Sequence, residues 1–257
     1  GGAVIAAMLA VAGGLCRHVL CFRTVWESTF AALRLGPGAT GGGGGGRVSG
    51  PMQEWRLPFG ALAAANWIGM NANQYLHRYR APRQMLGWIA INGRANAARN
   101  PAAIYRDPMT MDDYLSARPI TWDQGTITHE PQVLGQSAPL WTRTSLGPAD
   151  VDVALVYDGF TFNAISWLEA LGFCGLGEAK DWLDGGRRIA LDGDLPVNPH
   201  GGQLSEGRTH GFGFLYEAMT QLRHEAGERQ VAEAATAVVT TGGGTPSGVL
   251  LLRRDAP

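Results

Sequence analysis

Cysteine and lysine are scarce in this sequence. Its 257 residues include three cysteines, Cys16, Cys21 and Cys174, which form no CxxC pair and no other metal-ligand spacing. Without such a spacing, we expect no bound metal. An odd number of cysteines argues against a disulfide framework, so we expect a cytoplasmic protein. Lys180 is the only lysine. This bias toward arginine means that residue type alone singles out no arginine for a role.

Long apolar runs are also missing, which argues against a membrane-spanning helix. The opening segment GGAVIAAMLAVAGG (1–14) is apolar but short, and it has no basic n-region. It is therefore predicted to be a buried helix and not a signal peptide. Because the chain does not begin with Met, we expect its natural beginning to be missing.

The chain has no overall excess of charge, since 21 basic and 22 acidic residues leave a net charge of −1. This balance argues against a nucleic-acid-binding protein. Residues 1–122 nevertheless carry twelve arginines and five acidic residues, whereas residues 123–257 carry nine basic and seventeen acidic residues. The asymmetry fits an anionic ligand on the first half, two halves that face each other, or solvated surfaces.

Strand-like and helix-like patterns alternate along the chain, which predicts an α/β fold with helices on the faces of a sheet. The predicted strands are HVLCFRTV (18–25), VDVALVYD (151–158), TAVVTT (236–241) and VLLLRR (249–254). Helices are predicted over 60–80, 83–98, 110–117, 161–173, 178–186 and 212–227. In the last of these, one apolar face is formed by Phe214, Leu215, Ala218, Met219 and Leu222. The Gly-rich stretch 36–51 is predicted to be a flexible linker.

Polar residues and glycines follow the predicted strands, where the chemistry of α/β sheets gathers. Tyr157 and Asp158 end one strand, the segment NPHGGQLSEGRTHGFG (198–213) precedes a helix, and three glycines (242–244) follow another strand. Each feature also has a structural interpretation. Tyr157 fits a core tyrosine, Asp158 a helix N-cap, and His210 a residue that covers a turn. The glycines fit a strand-to-helix turn. No nucleotide-binding, serine-triad or zinc motif is present.

Several motifs resemble those of the thiolase superfamily. HRYRAPRQMLGWIAINGRANAARNPAAIYRDPMTMDDYLSARPIT (77–121) is similar to the CoA-facing region of sterol-carrier-type thiolases. The segment 198–213 resembles their N..GG....GHP.G motif, YDGF (157–160) their NEAF motif, and TTGGG (240–244) their C.GGG motif. The motifs occur in the family's order. The sequence is therefore identified as a member of the lipid-transfer-protein branch, which includes actinobacterial steroid side-chain aldolases.

This resemblance implies a thiolase-like layered α-β-α-β-α fold that is incomplete at its N-terminus. Residues 1–122 would be the remnant of the N-terminal half, with a Gly-rich linker and a helical, CoA-facing excursion (51–118) over the pocket mouth. Residues 123–257 would form the C-terminal half. Relatives have further strands and a nucleophile loop before Gly1, and a further segment after residue 121, so we expect a shortened version of the fold.

The four catalytic positions of thiolases carry other residues here. The nucleophilic cysteine belongs to the segment before Gly1. The positions of the family's histidine, asparagine and second cysteine fall on Arg208, Tyr157 and Thr240. Thiolase chemistry needs a thiolate and its acid–base partners, so acyl transfer as an acetyl-CoA acyltransferase is the least favoured function.

Aldolase-like relatives share a tyrosine at the position of Tyr157 and cleave a β-hydroxyacyl-CoA by a retro-aldol reaction. They often have a second tyrosine where this chain has Arg208. The resemblance thus implies cleavage of a C–C bond in a steroid or other bulky acyl-CoA. The alternative is a non-catalytic subunit that binds acyl-CoA or lipid.

The resemblance also implies site residues and partners. The catalytic candidates are Tyr157, Asp158, Arg208 and His210. The candidates for binding the acyl-CoA are Arg78, Arg80, Arg83, His200, Gly201, Gly202, Gly242, Gly243 and Gly244. No cofactor is expected, because the coenzyme A thioester is the substrate. The expected partners are a second copy of the chain, paired across the sheet edge, and a small protein with an OB-fold and a zinc ribbon. No nucleic acid or membrane is expected as a partner.

Overall fold

The structure is a computed structural model that describes residues 2–22, 24, 33, 61, 64–117, 134–243 and 247–254. The chain forms two compact units, residues 2–69 and residues 70–257 together with Gly1. The predicted linker (36–51), the predicted domain boundary at residue 122 and Gly244 lie outside the described residues.

In the first unit, helix α1 (Gly2–Ala12) confirms the predicted helix but not its burial, because none of its residues is buried. An apolar composition favours a helix, whereas burial also needs an apolar surface to pack against. The predicted strand at 18–25 is wrong over residues 18–22, which have no regular structure. Apolar, β-branched residues form a stable strand only when another strand pairs with them.

The next helices follow the sequence pattern closely. Helix α2 covers Ala64–Tyr79, and α3 (Gln84–Ala98) starts shortly after Pro82. Helix α4 (Met111–Ser116) begins with a capping box. The hydroxyl of Thr110 accepts from the N–H of Asp113, and the Asp113 carboxylate accepts from the N–H of Thr110. Helix α5 (Leu134–Trp141) follows the undescribed segment.

A three-stranded sheet lies at the centre of the second unit, in the order β1 (Val153–Leu155), β2 (Thr236–Thr241), β3 (Gly248–Arg253). Strands β1 and β2 are parallel, with Leu155 opposite Val239, and β2 and β3 are antiparallel. Strand β1 is completely buried and β2 almost completely. Three of the four predicted strands are thus confirmed.

Helices and turns connect these strands. Helix α6 (Thr161–Ala170) follows β1, and α7 (Ala179–Trp182) and α8 (Gly202–Ser205) come after it. Helix α9 (Phe212–Leu222) precedes β2. Short 3-10 turns cover Pro148–Asp150, Asp184–Ile189 and Gly227–Arg229. No helix in the described ranges is both long and apolar enough to cross a membrane.

The core lies where α9 packs on β1 and β2. It contains Val153, Leu155, Phe214, Ala218, Leu222, Val231, Ala234, Ala237 and Val239. The predicted apolar face of α9 is correct at Phe214, Ala218 and Leu222 but wrong at Met219, which is 37% exposed. The buried stripe of the helix instead includes Glu217 and Gln221. The single N–H at Nε of Arg229 is shared between the two carboxylate oxygens of Glu217, at 3.0 Å each.

Candidate active site

The three predicted site segments meet at the carboxyl end of β1. The N–H of Tyr157 donates to Oγ1 of Thr240 on β2 at 2.7 Å. The N–H of Gln203 donates to Oδ1 of Asp158 at 2.8 Å. These bonds link the end of β1 to β2 on one side and to the loop of residues 198–213 on the other. This loop is called the Gly-rich loop below.

The start of the Gly-rich loop is held like an extra strand beside β1. The N–H of Ala154 donates to the carbonyl of Pro196, and the N–H of Asn198 donates to the carbonyl of Ala154, both at 3.0 Å. The side chain of Asn198 then accepts from the N–H of Val156 and donates to its carbonyl, both at 2.9 Å. One amide side chain thus continues the pairing where the backbone ladder ends.

A row of asparagines on α3 holds the same loop from the other side. Asn92 and Asn96 donate to the carbonyl of Val197 at 3.1 and 3.0 Å. Asn100, just past the end of α3, donates to the carbonyl of His200 at 2.9 Å. These positions are four residues apart, so they share one helix face. All three side chains are buried.

Two glycines allow the loop to approach this closely. Gly201 has a φ of 106°, and a Cβ at this position would lie 2.7 Å from the Cβ of Ala97 on α3. Gly202 has a φ of 64° and lies against the Asp158 carboxylate, which leaves no room for a methyl group. Positive φ and the lack of space both require glycine. Both residues were predicted to bind substrate, and in the structure they shape the loop.

Asp158 is buried, with 1% of its surface exposed. Loss of solvation raises the pKa of its carboxyl group to about 7, although hydrogen bonds from the main chain of Gln203 and Leu204 and from Asn198 act in the opposite direction. The carboxyl group therefore titrates near neutral pH. Its main-chain partners begin helix α8, so Asp158 anchors the loop. Its predicted role as an N-cap for α6 is wrong, because the residue before α6 is Phe160 and makes no side-chain cap.

Tyr157 is partly buried. Its phenol folds back over Gly159, where the Cβ of any other residue would collide with the ring. On its other side the ring centroid lies 6.4 Å from that of Phe214. The side chain is therefore held between the turn that follows β1 and the first turn of α9, at the carboxyl end of a parallel strand.

His200 lies inside the loop and is 1% exposed. Its ring packs edge-on against Phe214, with the centroids 5.4 Å apart. Burial, together with the nearby charge of Arg229, lowers the pKa of His200 to about 3. The imidazole is therefore neutral, and its 3.6 Å approach to Glu206 is not an ion pair. His200 was predicted to contact substrate, and in this conformation it packs into the core.

Glu206 sits beside His200 at the other end of helix α8. Its carboxylate accepts a hydrogen bond from Nδ2 of Asn100 at 3.2 Å. Burial raises its pKa. This cluster joins the Gly-rich loop to the residues just after α3.

Arg208 and His210 lie in the second part of the loop, and both were predicted to be catalytic. Arg208 is exposed and makes no hydrogen bond or ion pair with any described residue. His210 is partly buried and has a φ of 52°, which is unusual for a residue other than glycine. The loop therefore presents one exposed guanidinium group and one imidazole on a constrained backbone.

The glycines after β2 lie over helix α6. Nε1 of Trp167 donates to the carbonyl of Gly242 at 2.8 Å, and Nδ2 of Asn163 donates to that of Gly243 at 3.4 Å. A Cβ on Gly243 would lie 2.5 Å from the Asn163 amide nitrogen. The strand end is thus anchored to the helix that follows Tyr157 and Asp158.

Arg78, Arg80 and Arg83 are exposed at the end of α2 and in the turn before α3. The asparagine row that holds the Gly-rich loop lies toward the other end of α3. Burial raises the pKa of Tyr114, and two neighbours act in the opposite direction, the side chain of Thr161 at the start of α6 and the charge of Arg83. One of the three arginines is thereby connected to the helix that follows β1.

Several of the residues that shape this site were not predicted from the sequence. They are Asn92, Asn96, Asn100, Asn198, Gln203 and Glu206. The four-residue spacing of the three helical asparagines was available as an indication, because asparagine is a poor residue for helix interiors. No group of histidine, cysteine or acidic side chains in the described part of the chain could hold a metal ion.

Comparisons with known proteins agree with this architecture. Residues 128–252 match the family described as "Thiolase C-terminal domain-like". The chain is 30% identical to a steroid side-chain-cleaving aldolase of Thermomonospora curvata, over 99% of this chain and 78% of that protein. It is also 30% identical to a 17-hydroxy-3-oxo-4-pregnene-20-carboxyl-CoA lyase of Mycobacterium tuberculosis, over 98% of this chain and 79% of that protein.

A solved structure gives the same result at the level of the fold. The structure of an "Ltp2-ChsH2(DUF35) aldolase" superposes with a TM-score of 0.82 and 29% identity, over 98% of this chain and 77% of that one. The fold is therefore thiolase-like and of the α/β class. The chain belongs to the thiolase superfamily, in the branch that contains the steroid side-chain-cleaving aldolases.

Proposed function

We propose that this chain cleaves a C–C bond in a β-hydroxyacyl-CoA whose acyl group is a steroid or a similarly bulky skeleton, by a retro-aldol reaction. The observation that carries the proposal is the position of Tyr157. This tyrosine lies two residues past the end of the buried parallel strand β1, beside the Gly-rich loop, in a chain 30% identical to an aldolase and a lyase of this kind.

The reaction needs a base and an electron sink but no covalent acyl-enzyme. The base removes the proton of the β-hydroxyl group, and the electrons of that O–H bond form the carbonyl of a ketone. The bond between Cα and Cβ breaks, and its electrons move to the thioester carbonyl as an enolate. Protonation of the enolate at Cα releases a shorter acyl-CoA. No oxidant or reductant is consumed.

Tyr157 is the proposed base. Its ring is held between Gly159 and Phe214, and its main chain is bound to β2. A fixed position of this kind favours proton transfer, because it keeps the group within hydrogen-bonding reach of one substrate atom. Asp158 holds the Gly-rich loop against the strand end. Its carboxyl group, which titrates near pH 7, is a second candidate for moving a proton.

Arg208 and His210 are the proposed partners for the enolate oxygen. Both lie on the Gly-rich loop, and the guanidinium group of Arg208 is exposed and has no polar contact with a described residue. A positive charge near a developing enolate stabilises it. These residues would replace the second tyrosine of aldolase-like relatives, either by donating a proton to the enolate oxygen or by placing a positive charge beside it.

The phosphates of coenzyme A are proposed to bind Arg78, Arg80 and Arg83. These side chains are exposed, and the link from Arg83 through Tyr114 to Thr161 supports a position near the start of α6. Gly242 and Gly243 would let the thioester arm pass close to the backbone, whereas Gly201 and Gly202 lie against Ala97 and Asp158. Arginine suits phosphate recognition because its guanidinium group donates two parallel hydrogen bonds.

Assembly is part of the proposal. The related solved structure is named as an aldolase of Ltp2 with a second protein, ChsH2 (DUF35). We expect this chain to bind a comparable small protein with an OB-fold and a zinc ribbon, and to pair with a second copy of itself across the sheet edge. The unpaired cysteines Cys16, Cys21 and Cys174 fit a reducing cytoplasm.

The function is tested by incubating the chain with a steroid β-hydroxyacyl-CoA, alone and with a partner of the ChsH2 type. Products are followed by mass spectrometry. We expect a steroid ketone and a shorter acyl-CoA in equal amounts. The matched control is the same acyl-CoA without its β-hydroxyl group, which has no proton for the base to remove and must stay intact.

Tight binding of the β-hydroxyacyl-CoA without cleavage, with the partner present, would contradict the proposal. That result would identify the chain as a non-catalytic binding subunit. The exposed Arg208, at a position where aldolase-like relatives have a tyrosine, is the observation that favours this second function.

A further inference from the structure

Thr240 binds the main chain of Tyr157 through its side chain. Strands β1 and β2 pair only over Val153–Leu155 and Ala237–Val239. Past Leu155 the backbone ladder stops. The N–H of Tyr157 donates to the side-chain hydroxyl of Thr240, at 2.7 Å, and not to a carbonyl of β2.

The side chain of Thr240 is buried within the sheet. The residue is 0% exposed and lies on the central strand of the sheet, opposite Val249 of β3. A hydroxyl group buried at such a position needs a hydrogen-bond partner, and the N–H of Tyr157 is one. Without the hydroxyl group, this partly buried N–H would lose its acceptor.

The same hydrogen bond fixes the main chain of Tyr157, from which the phenol side chain extends. The neighbouring main-chain groups of Val156 are bound by Asn198 from the opposite side. Residues 156 and 157 are thus each held by a side chain, one from the Gly-rich loop and one from β2. The phenol then lies between Gly159 and Phe214.

We infer that Thr240 is a positioning residue for Tyr157, which fixes the main chain of the tyrosine and through it the place of the phenol hydroxyl. The inference rests on the proposed retro-aldol function. Thr240 does not exchange a proton with the substrate in this account. Its effect on the rate passes through Tyr157 alone.

The first test compares three substitutions at this position in the full chain with its partner. Thr240→Val has nearly the same shape as threonine but no hydroxyl group, and Thr240→Ala also lacks the group without adding branching. Thr240→Ser keeps the hydroxyl group and is the matched control. We expect kcat to fall about ten- to a hundred-fold in the Val and Ala variants, because misplacing a reacting group is costly, and about threefold or less in Ser. KM should change little.

The second test asks whether the loss passes through the tyrosine. In a Tyr157→Phe background there is no phenol hydroxyl to place, so Thr240→Val should cause no further loss of rate. An equal fold loss in both backgrounds would overturn the inference, and so would full activity of both Thr240→Val and Thr240→Ala.

A readout independent of activity separates this inference from the proposed function. Amide hydrogen exchange at Tyr157 should be slow in wild type and Thr240→Ser, and clearly faster in Thr240→Val and Thr240→Ala. Equal exchange in all four would overturn the positioning role. An inactive wild type that still shows the exchange difference would overturn the retro-aldol function and leave Thr240 as the residue that holds Tyr157.

Discussion

The main-chain N–H of Gln203 donates a 2.8 Å hydrogen bond to Oδ1 of Asp158, while Gly202 lies directly against the same carboxylate. This relationship joins the residue after Tyr157 to the first turn of helix α8. Because the carboxylate takes the place that a side chain at residue 202 would occupy, only glycine fits there. The geometry of the candidate site therefore depends on two residues that are far apart in the sequence.

The first prediction concerns Gly202→Ala. The new methyl group would collide with Asp158, and the φ of 64° is unfavourable for alanine. We expect a loss of about 2–5 kcal/mol in the free energy of unfolding, the sum of a left-handed backbone and an overpacked site. Urea unfolding measures it.

The matched control is Gly227→Ala. Gly227 has a similar φ of 61°, but nothing lies within 4 Å of the position of its Cβ. This variant should lose only the backbone part, about 1–2 kcal/mol. Equal losses in the two variants would mean that the contact with Asp158 has no energetic weight.

The second prediction is a pH dependence from Asp158. Its pKa is raised from 3.8 to about 7 in the folded protein, so between these values the folded state binds a proton that the unfolded state has released. The contribution of Asp158 to the free energy of unfolding therefore has its full value below about pH 4 and decreases as the pH rises to about 7. His200 acts in the opposite sense, because its pKa is lowered to about 3 and its contribution grows as the pH rises toward 6.5.

Since the two groups oppose each other, the variant Asp158→Asn isolates the carboxyl group. We expect its stability, relative to wild type, to increase as the pH rises from about 4 to 7, because the asparagine does not ionise. Chemical denaturation at several pH values measures the difference. A difference between the two proteins that does not change with pH would show that the carboxyl group titrates near its ordinary pKa.

The sequence allows much of this fold to be predicted where local rules dominate. The capping box at Thr110, the break at Pro82 and strand β1, which lies within the predicted 151–158, are encoded within a few residues. The wrong predictions depend on distant partners. Residues 18–22 have the composition of a strand but pair with none of the described strands, and α1 has an apolar composition without a buried residue.

The same distinction applies to the candidate site. That Tyr157 and the Gly-rich loop lie at one strand end follows from the order of motifs and from the rule that chemistry gathers there. That Asn198 completes the pairing of β1, or that His200 is buried with a depressed pKa, depends on which side chains meet in space. Sequence spacing contains no information on such contacts between residues far apart in the chain.

The third prediction tests the arginines proposed to bind coenzyme A. Replacing all three with alanine should weaken CoA binding roughly ten- to a hundred-fold and flatten its salt dependence, because phosphate contacts are lost. The residues are Arg78, Arg80 and Arg83, all exposed. Isothermal titration of CoA at two salt concentrations measures both quantities.

A control variant removes the same charge elsewhere. Three other exposed arginines serve this purpose, Arg143, Arg223 and Arg254. Their joint replacement should leave CoA affinity within about threefold of wild type, since only long-range attraction is reduced. If both triple variants weaken binding equally, the effect is one of net charge and not of a phosphate site.

The last prediction concerns Tyr157→Phe, which keeps the aromatic ring between Gly159 and Phe214 and removes only the hydroxyl group. If the phenol is the base, the retro-aldol rate should fall about 10²–10⁴-fold, the range for loss of a general acid or base, while the melting temperature and CoA affinity are retained. If the phenol hydroxyl takes no part in the reaction, the variant should instead keep its turnover. Measuring the melting temperature and the rate on the same preparation separates the two cases. A stable, fully active Phe variant would end the catalytic role of Tyr157 and would turn attention to the carboxyl group of Asp158 beside it.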